Sequence, residues 1–334
     1  MFGMKPSDAQ LLEWVKSYGE TQVDMGGTIS SVCRHEKTHS LFVATDKGLL
    51  KMNGITNKIT PSKITEKIKK MISSDDGAYC VTERDEVFSW NQNDDSLKLV
   101  YKGPMSDLVY SSESKILYGM AGNEIIEIDT VTGANKFFPY DLVSALCCGP
   151  DNSLYIGSLG GLKKQGATGD KLGFRNINNK VVTLIKRDLI TGSVYFSCGS
   201  DGVIAKSNTD LENGTLIQYA DIFSNRSTIT FECDYISKLL CILSYGKDKV
   251  YRVHLTPPDN IGIRNDTVPF LRFGNMKNIA CDSLTNTFYI AGQDTINVLK
   301  PKSSYLALVN ASAFTVFKML LHMNNQAALE EELL

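Results

Sequence analysis

Hydrophobic and polar positions follow one recurring pattern along most of this chain. An apolar strand leads into a polar turn, and a second strand begins with an aromatic residue or leucine and ends in small residues. After a second turn, a third strand alternates apolar and polar residues, as in "LFVATDKGLLKM" (41–52). Period-two alternation between turn-rich segments predicts antiparallel β-hairpins.

The pattern is repeated seven times between residues 32 and 300. The large residue near the start of the second strand anchors each copy, and successive anchors are 37, 38, 38, 40, 45 and 49 residues apart. These anchors are Phe42, Tyr79, Leu117, Tyr155, Tyr195, Leu240 and Tyr289. A repeat of about 40 to 45 residues is typical of a four-stranded blade.

A single small sheet cannot bury both of its faces, but a ring of such sheets buries one against the next. The small residues would let neighbouring sheets approach closely, and the anchors would fill the space between them. These small residues are Ala44, Gly119, Gly157, Ser197 and Ala291. We therefore predict an all-β fold, a seven-bladed β-propeller with short N-terminal and C-terminal helical extensions.

The stretch "PDNSLYIGSLGGLKK" (150–164) allows two interpretations, a phosphate-binding glycine loop or one copy of the repeat. A phosphate loop needs a glycine-rich turn that leads into a helix, with GxGxxG or Lys-Ser/Thr spacing. Here a short strand follows the glycines, and the stretch matches the other copies. We interpret "GSLGGLKK" as the second turn of the fourth copy.

The copies resemble the blades of WD40-like and two-component-regulator propellers, in which a phrase of the form D-x-x-G-x-L-Y/W-I-G-S/T-x-x-G-L recurs. "DNSLYIGSLGGL" (151–162) matches this phrase well, and "GSVYFSCGSDGVIAKS" (192–207) matches it moderately. The Trp-Asp and Gly-His signatures of strict WD40 repeats are absent from the sequence. The resemblance covers about residues 28 to 300 and implies a fold, which does not by itself give a function.

The two ends of the chain differ from the repeats. Residues 7–18 read as an amphipathic helix that includes Leu11 and Trp14, and residues around 21–26 could add a strand to the last blade. The tail reads as a strand followed by a helix with Phe314, Phe317, Leu320 and Leu321 at near-helical spacing. We predict a helix and closing strand in 1–26, the propeller in 27–303 and the tail in 304–334. The apolar residues of the two helices either cover the propeller or bind partner proteins.

Composition limits the classes of function. The net charge of −2 and pI near 6.1 argue against nucleic acid as a partner, because such proteins need a basic face. No apolar run is long enough for a signal peptide or a membrane span. Eight cysteines without CxxC pairs lie in apolar strands, as small core residues do in a reducing compartment. We expect a cytoplasmic protein, or one in another reducing intracellular compartment.

Candidate catalytic chemistry is sparse. His35 and His39 are four residues apart on a predicted hairpin, where a shared metal site is not expected. His254 lies in a strand and His322 in the tail. Six carboxylates occupy turns between the first and second strands, where solvated acidic residues are common. They are Asp75, Asp76, Glu113, Asp151, Asp234 and Asp282. We expect no catalytic residues, cofactor or metal.

We therefore interpret the chain as a non-enzymatic protein-interaction scaffold, a propeller subunit of a larger intracellular assembly. The rival is a propeller hydrolase or lactonase with a divalent metal in the central channel, and a third option is a small-ligand sensor that uses the same channel. Clustered buried carboxylates at the axis would favour the enzyme. A polar channel with an apolar patch on one rim would favour the scaffold.

Overall fold

The computed structural model describes most of the repeat region and none of the extreme termini. The described residues are 18–150, 152–166, 170–188, 191–198, 203–211, 214–217, 229–234, 239–244, 249–254, 266–268, 276, 278–283, 285 and 287–301. Within them the secondary structure is β-strand apart from one 3-10 turn, Glu36–Thr38. The predicted helix of the C-terminal tail, and all of the N-terminal one except Tyr18, lie outside the described residues.

Three four-stranded antiparallel sheets follow one another in the first part of the chain, each with its strands in sequence order. The first contains β2 (Ile29–His35), β3 (Ser40–Thr45), β4 (Gly48–Asn53) and β5 (Ile59–Pro61). The second contains β6 (Ile68–Ser73), β7 (Gly77–Thr82), β8 (Glu86–Asn91) and β9 (Ser96–Lys102). The third contains β10 (Asp107–Ser111), β11 (Ile116–Ala121), β12 (Glu124–Asp129) and β13 (Asn135–Pro139).

A six-stranded sheet comes next and contains the fourth and fifth predicted copies. Its strands are β14 (Val143–Cys148), β15 (Leu154–Gln165), β16 (Lys171–Arg187), β17 (Val194–Cys198), β18 (Val203–Ser207) and β19 (Gly214–Ile217). Strand β16 is 17 residues long; its first part pairs with β15 and its last part pairs with β17. Strand β15 continues through "GSLGGLKK" (157–164), so the prediction that this stretch is the second turn of the fourth copy is wrong. Leu159 pairs with Val181 between the two parts of β16, which keeps both parts in one sheet.

Two further four-stranded sheets complete the described structure. One contains β20 (Ile229–Asp234), β21 (Leu239–Ser244), β22 (Lys249–His254) and β23 (Asp266–Val268). The other contains β24 (Asn278–Asp282), β25 (Thr287–Ala291), β26 (Thr295–Pro301) and β1 (Tyr18–Asp24). Strand β1 pairs antiparallel with β26 along its whole length, so an N-terminal strand joins C-terminal strands in one sheet.

The architecture is an all-β propeller, but the prediction of seven blades with helical extensions is wrong. The described residues form five four-stranded blades and the one six-stranded sheet, because β16 continues through the boundary between two copies. They contain no α-helix, and Tyr18, which was expected to lie in the N-terminal helix, begins β1. No helix within the described parts of the chain has the length and apolar character needed to cross a membrane.

The hydrophobic core consists of separate clusters. Four of them lie between neighbouring sheets, and the cluster that contains Tyr155 lies within the six-stranded sheet. Phe42 and Ala44 of β3 pack against Met71 and Cys80 of the next sheet, and the Phe42 ring meets the Trp90 ring edge-on at 4.8 Å. The predicted anchors with described side chains are all buried in these clusters or beside them; they are Phe42, Tyr79, Leu117, Tyr155, Tyr195 and Tyr289. Phe42, Tyr79, Leu117 and Tyr289 therefore pack between sheets, as the sequence pattern predicted, whereas Tyr155 packs within the six-stranded sheet.

Serine residues at β-bulges connect adjacent inner strands. The ladder between β2 and β3 shifts register at Ser30, whose hydroxyl donates to the carbonyl of Ala44 at 3.2 Å and to that of Ile68 at 2.5 Å. Ser144 of β14 repeats this arrangement with the carbonyls of Gly157 and Val182, at 3.2 and 2.5 Å. Each bulge therefore turns one hydroxyl toward the next inner strand.

Candidate functional site

The innermost strands surround a channel of about 490 Å³. The six-stranded sheet contributes β14 and β16 to the channel wall, and the other sheets contribute β2, β6, β10, β20 and β24. Strands β14 and β16 run in the same direction, because each pairs antiparallel with β15. The channel therefore has one end where these strands begin and one where they finish; we call the second the polar end.

Ion pairs join neighbouring inner strands around the channel. They are Lys70 Nζ–Asp107 Oδ1 at 2.8 Å, Lys186 Nζ–Glu232 Oε2 at 2.7 Å and Arg34 Nη2–Asp282 Oδ1 at 2.6 Å. Burial alone would lower the pKa of Lys186, but the charge and hydrogen bond of Glu232 outweigh it and raise that pKa above its ordinary value. The carboxylates of these pairs are therefore each neutralised by a cation of the adjacent strand.

Asp282 is the most enclosed of these carboxylates, with a side chain only 1% exposed. Its second oxygen lies 3.1 Å from Nδ1 of His39, and Nη2 of Arg34 lies 3.1 Å from the same nitrogen. These three residues come from β2, from the turn after it and from β24, so they join the first and last sheets. A buried pair of this kind is costly to break, because removal of one partner leaves a buried charge uncompensated.

A second polar network at this end centres on Asp75. Its Oδ2 accepts hydrogen bonds from the Tyr110 hydroxyl at 2.6 Å and from Lys115 Nζ at 2.8 Å, and its backbone carbonyl lies 3.2 Å from His35 Nε2. Burial alone would raise the pKa of Asp75, but the bonds from Lys115 and Tyr110 lower it below its ordinary value. The pKa of His35 is lowered, mainly by burial. The network therefore links the first three sheets.

The opposite end carries an exposed apolar pair, Leu142 and Leu159, which we call the rim patch. Leu142 directly precedes β14, and Leu159 lies within β15. Val143 pairs with Ser158, so the two leucines are the next residues beyond this pair on the two facing strands. They are 59% and 51% exposed. Leu142 has a φ of 56°, in the left-handed region that a leucine rarely adopts.

The predicted partner-binding residues lie outside the described residues; they are Leu11, Trp14, Phe314, Phe317, Leu320 and Leu321. Among the turn carboxylates, Asp75 and Asp282 belong to the networks above, whereas Asp76 and Glu113 are exposed. Asp151 lies outside the described part of the chain, and Asp234 ends β20.

The histidines belong to different contacts. Nδ1 of His35 lies 2.8 Å from the Thr38 hydroxyl, whereas His39 contacts Asp282. His254 ends β22, and His322 falls outside the described residues. In the regions that the structure describes, no three His, Cys, Asp or Glu side chains converge as metal ligands.

Sequence reasoning missed most of the ion pairs, because their partners come from neighbouring copies. Only Asp282 was singled out, and it was expected to be a solvated turn residue. The repeat does contain a usable signal: Arg34 and Arg187 each lie eight residues before their anchors, Phe42 and Tyr195. Aligning the copies on the anchors would have placed both arginines at the same end of the channel.

Two comparisons with known proteins found no relative. No protein-family model matches this chain. No curated protein matches its sequence.

Comparison with solved structures found propeller proteins. Virginiamycin B lyase from Staphylococcus aureus superposes with a TM-score of 0.66 at 16% identity, covering 85% of this chain and 99% of that one. A chain of the mitotic checkpoint complex gives 0.68 at 10% identity, covering 85% of this chain and 91% of that one. The Swd1 β-propeller domain from Myceliophteria thermophila gives 0.67 at 12% identity, covering 84% and 99%. The chain is a β-propeller repeat protein, as the resemblance implied, and these identities show the fold alone.

Proposed function

We propose that this chain is a non-enzymatic scaffold that binds another protein through the rim patch, as a subunit of a larger intracellular assembly. The observation that carries the proposal is the pair of exposed leucines, Leu142 and Leu159, at the end of the channel opposite the polar end. Contiguous apolar side chains on a soluble surface mark interaction sites more often than isolated ones do.

The backbone at Leu142 strengthens this interpretation. A left-handed leucine costs roughly 1 kcal/mol, and such strain is found where the surroundings enforce it or where function uses it. Leu211 has a similar φ of 62° but is only 2% exposed, so the burial of its side chain accounts for its conformation. Leu142 is mostly exposed, and binding of its side chain by a partner would supply the burial that this chain does not.

Other observations agree with an intracellular interaction protein. One structural neighbour is a chain of the mitotic checkpoint complex, a protein assembly. The described cysteines are all free thiols, which supports a cytoplasmic or other reducing location. The cations on the channel wall at Arg34, Lys70 and Lys186 are paired with carboxylates, which supports protein partners rather than nucleic acid.

The metal-dependent hydrolase has no comparable support among the described residues. A divalent cation needs several oxygen ligands that converge on one point. Asp107, Glu232 and Asp282 instead each contact a separate cation on a different pair of strands.

The proposal can be tested by affinity purification of the tagged full-length protein from its own cells, followed by mass spectrometry. The test variant is Leu142→Asn with Leu159→Ser, in which asparagine tolerates the left-handed backbone. The matched control is Ile55→Ser with Val131→Ser, two exposed apolar residues in turns between third and fourth strands, 68% and 75% exposed. A second arm uses a chain truncated after Lys302.

We expect stoichiometric partners that the rim-patch variant loses and the control variant keeps. Loss upon truncation alone would instead place assembly in the terminal segments, including Phe314 and Leu320. Partners that all variants keep would contradict a role for the rim patch. Absence of any partner from the unmodified protein would contradict the scaffold itself.

A further inference from the structure

Arg187 stands apart from the other described cations of the channel wall. It is the last residue of β16 and borders the channel at its polar end. Its Nε and Nη1 are buried, and neither has a hydrogen-bond partner among the described residues. A guanidinium has five N–H donors and no acceptor, so it needs oxygen atoms from another group. An unpaired charge of this kind is costly to bury.

The chain contains a matched residue for comparison, Arg34. Arg34 follows the residue that pairs with the anchor Phe42, and Arg187 follows the residue that pairs with the anchor Tyr195. The two arginines therefore occupy equivalent positions on β2 and β16. Arg34 bonds Asp282 at 2.6 Å, although its Nε is also unpartnered.

The partner of Arg34 has no counterpart at Arg187. Asp282 lies two residues beyond Ala280, the residue that pairs with the anchor Tyr289, on the inner strand that precedes β2 in the ring. The same position before β16, two residues beyond the partner of Tyr155, is Gly149. A Cβ there would clash with the Ser153 hydroxyl and lie 3.0 Å from the Tyr155 ring. Position 149 therefore has no room for a side chain that could supply the carboxylate that Asp282 supplies to Arg34.

Three acidic groups among the described residues in this part of the fold have other partners. Glu232 bonds Lys186 at 2.7 Å, and Asp210 lies 3.2 Å from Lys164 Nζ. Asp188, the next residue along the chain, accepts hydrogen bonds from the backbone and hydroxyl of Thr191 at 3.2 and 2.6 Å.

Thiols lie around the guanidinium. Burial raises the pKa values of Cys147 and Cys148, and the positive charge of Arg187 opposes that rise in both. These are weak acceptors and remain uncharged at neutral pH, so they do not neutralise Arg187.

We propose that Arg187 binds a carboxylate group that enters the polar end of the channel and takes the place that Asp282 has beside Arg34. The ion pairs that the described residues form on the wall are neutral in sum, so Arg187 leaves one positive charge that none of these residues compensates. A carboxylate carries one negative charge and matches it, whereas a phosphate would exceed it. The carboxylate belongs either to a small organic acid or to an acidic side chain of a peptide. The proposal does not depend on what binds the rim patch.

The test measures thermal unfolding of the full-length protein in sodium butyrate, which carries a single carboxylate, in sodium phosphate and in sodium chloride at equal ionic strength. A ligand at ten times its dissociation constant shifts the folding equilibrium about tenfold. A blocked peptide, acetyl-Gly-Glu-Gly-amide, replaces butyrate in a parallel series. Variants Arg187→Met and Arg187→Lys test the site, and Arg175→Met, in the first part of the same strand, is the control.

We expect at least one carboxylate probe to raise the melting temperature of the unmodified protein and the control more than chloride or phosphate does, with no such rise in Arg187→Met. The effective probe identifies the source, butyrate for a small acid and the peptide for a side chain. If Arg187→Met does not fold, Arg187→Lys should show a weaker response. No carboxylate response in the unmodified protein, an equal response to phosphate, or a response that survives loss of Arg187 would overturn the proposal.

Discussion

At Gly157, strand β15 closely approaches the inner strands β14 and β16, and this contact gives a quantitative test of the packing. A Cβ at residue 157 would lie 2.7 Å from Cγ1 and 2.8 Å from Cβ of Val182, and 3.2 Å from Cβ of Ala145. Carbon atoms in contact prefer about 3.5 to 4.0 Å, so Gly157→Ala forces Val182 to move by several tenths of an ångström. Val182 is fully buried and β-branched, and therefore has little rotamer freedom to do so.

The expected loss of unfolding free energy follows from two opposing terms. Overpacking of a core costs about 1 to 3 kcal/mol. Replacement of glycine by alanine returns about 0.4 to 1 kcal/mol by restricting the unfolded chain. We therefore expect Gly157→Ala to lower the free energy of unfolding by roughly 1 to 2 kcal/mol, measured by urea denaturation followed by circular dichroism.

A control and a rescue separate this clash from a general effect of substitution. At Gly19 a Cβ would meet only the carbonyl of Lys300, at 3.9 Å, so Gly19→Ala should leave stability unchanged or slightly raised. Val182→Ala removes the opposing methyl groups, so the pair Gly157→Ala with Val182→Ala should lose less stability than the sum of the single variants. Strict additivity, or a Gly157→Ala protein as stable as the unmodified one, would refute the reasoning.

Three further predictions concern buried polar groups. Asn297 is fully buried, and neither its amide nitrogen nor its amide oxygen has a hydrogen-bond partner among the described residues. Asn297→Val should therefore raise the unfolding free energy by about 1 to 2 kcal/mol, measured by urea titration. A lower unfolding free energy in the variant would show that the amide is hydrogen-bonded in solution. Burial raises the pKa of Cys80 to about 12, so a thiol reagent at pH 8 should label this residue only when the protein unfolds. Prompt labelling of the folded protein would contradict the burial of the Cys80 thiol. The pKa of Asp75 is lower in the folded than in the unfolded protein, so its contribution to stability is complete above the unfolded pKa and is lost as pH falls through the folded pKa. The loss of unfolding free energy caused by Asp75→Asn should therefore shrink below about pH 4 in urea titrations at a series of pH values. A loss independent of pH would contradict this role of Asp75.

The local grammar of the repeat was predictable from the sequence because it is set by short-range physics. Alternation places the anchor residues Phe42 and Tyr155 on the second strand of their copies, and burial of large side chains then requires a neighbouring sheet. The cysteines were predictable in the same way, as small core residues in apolar strands. Cys33 and Cys233 lie on inner strands and Cys80 lies on a second strand, and burial raises the pKa values of all three thiols.

The boundary between the fourth and fifth copies could not be predicted in the same way. The segment "INNKV" (177–181) contains two asparagines, which favour turns, yet Leu159 pairs with Val181 and keeps β16 in one sheet. A periodic pattern fixes how many residues separate two anchors, but not whether the connection bends or stays extended. The Arg34–Asp282 pair was equally hidden, because it joins residues 248 positions apart in the chain that meet only when the ring closes.

Departures from the repeat are the strongest functional signals in this molecule. Natural proteins satisfy local preference, packing and charge pairing at most positions, and they tend to violate one of them at functional sites. Leu142 breaks the pattern in backbone and exposure, although buried Leu211 shows that the conformation is accessible to leucine. Arg187 breaks it in charge pairing, although Arg34 shows how the same position is neutralised. Because the two exceptions lie at opposite ends of the channel, changes at one should leave binding at the other intact.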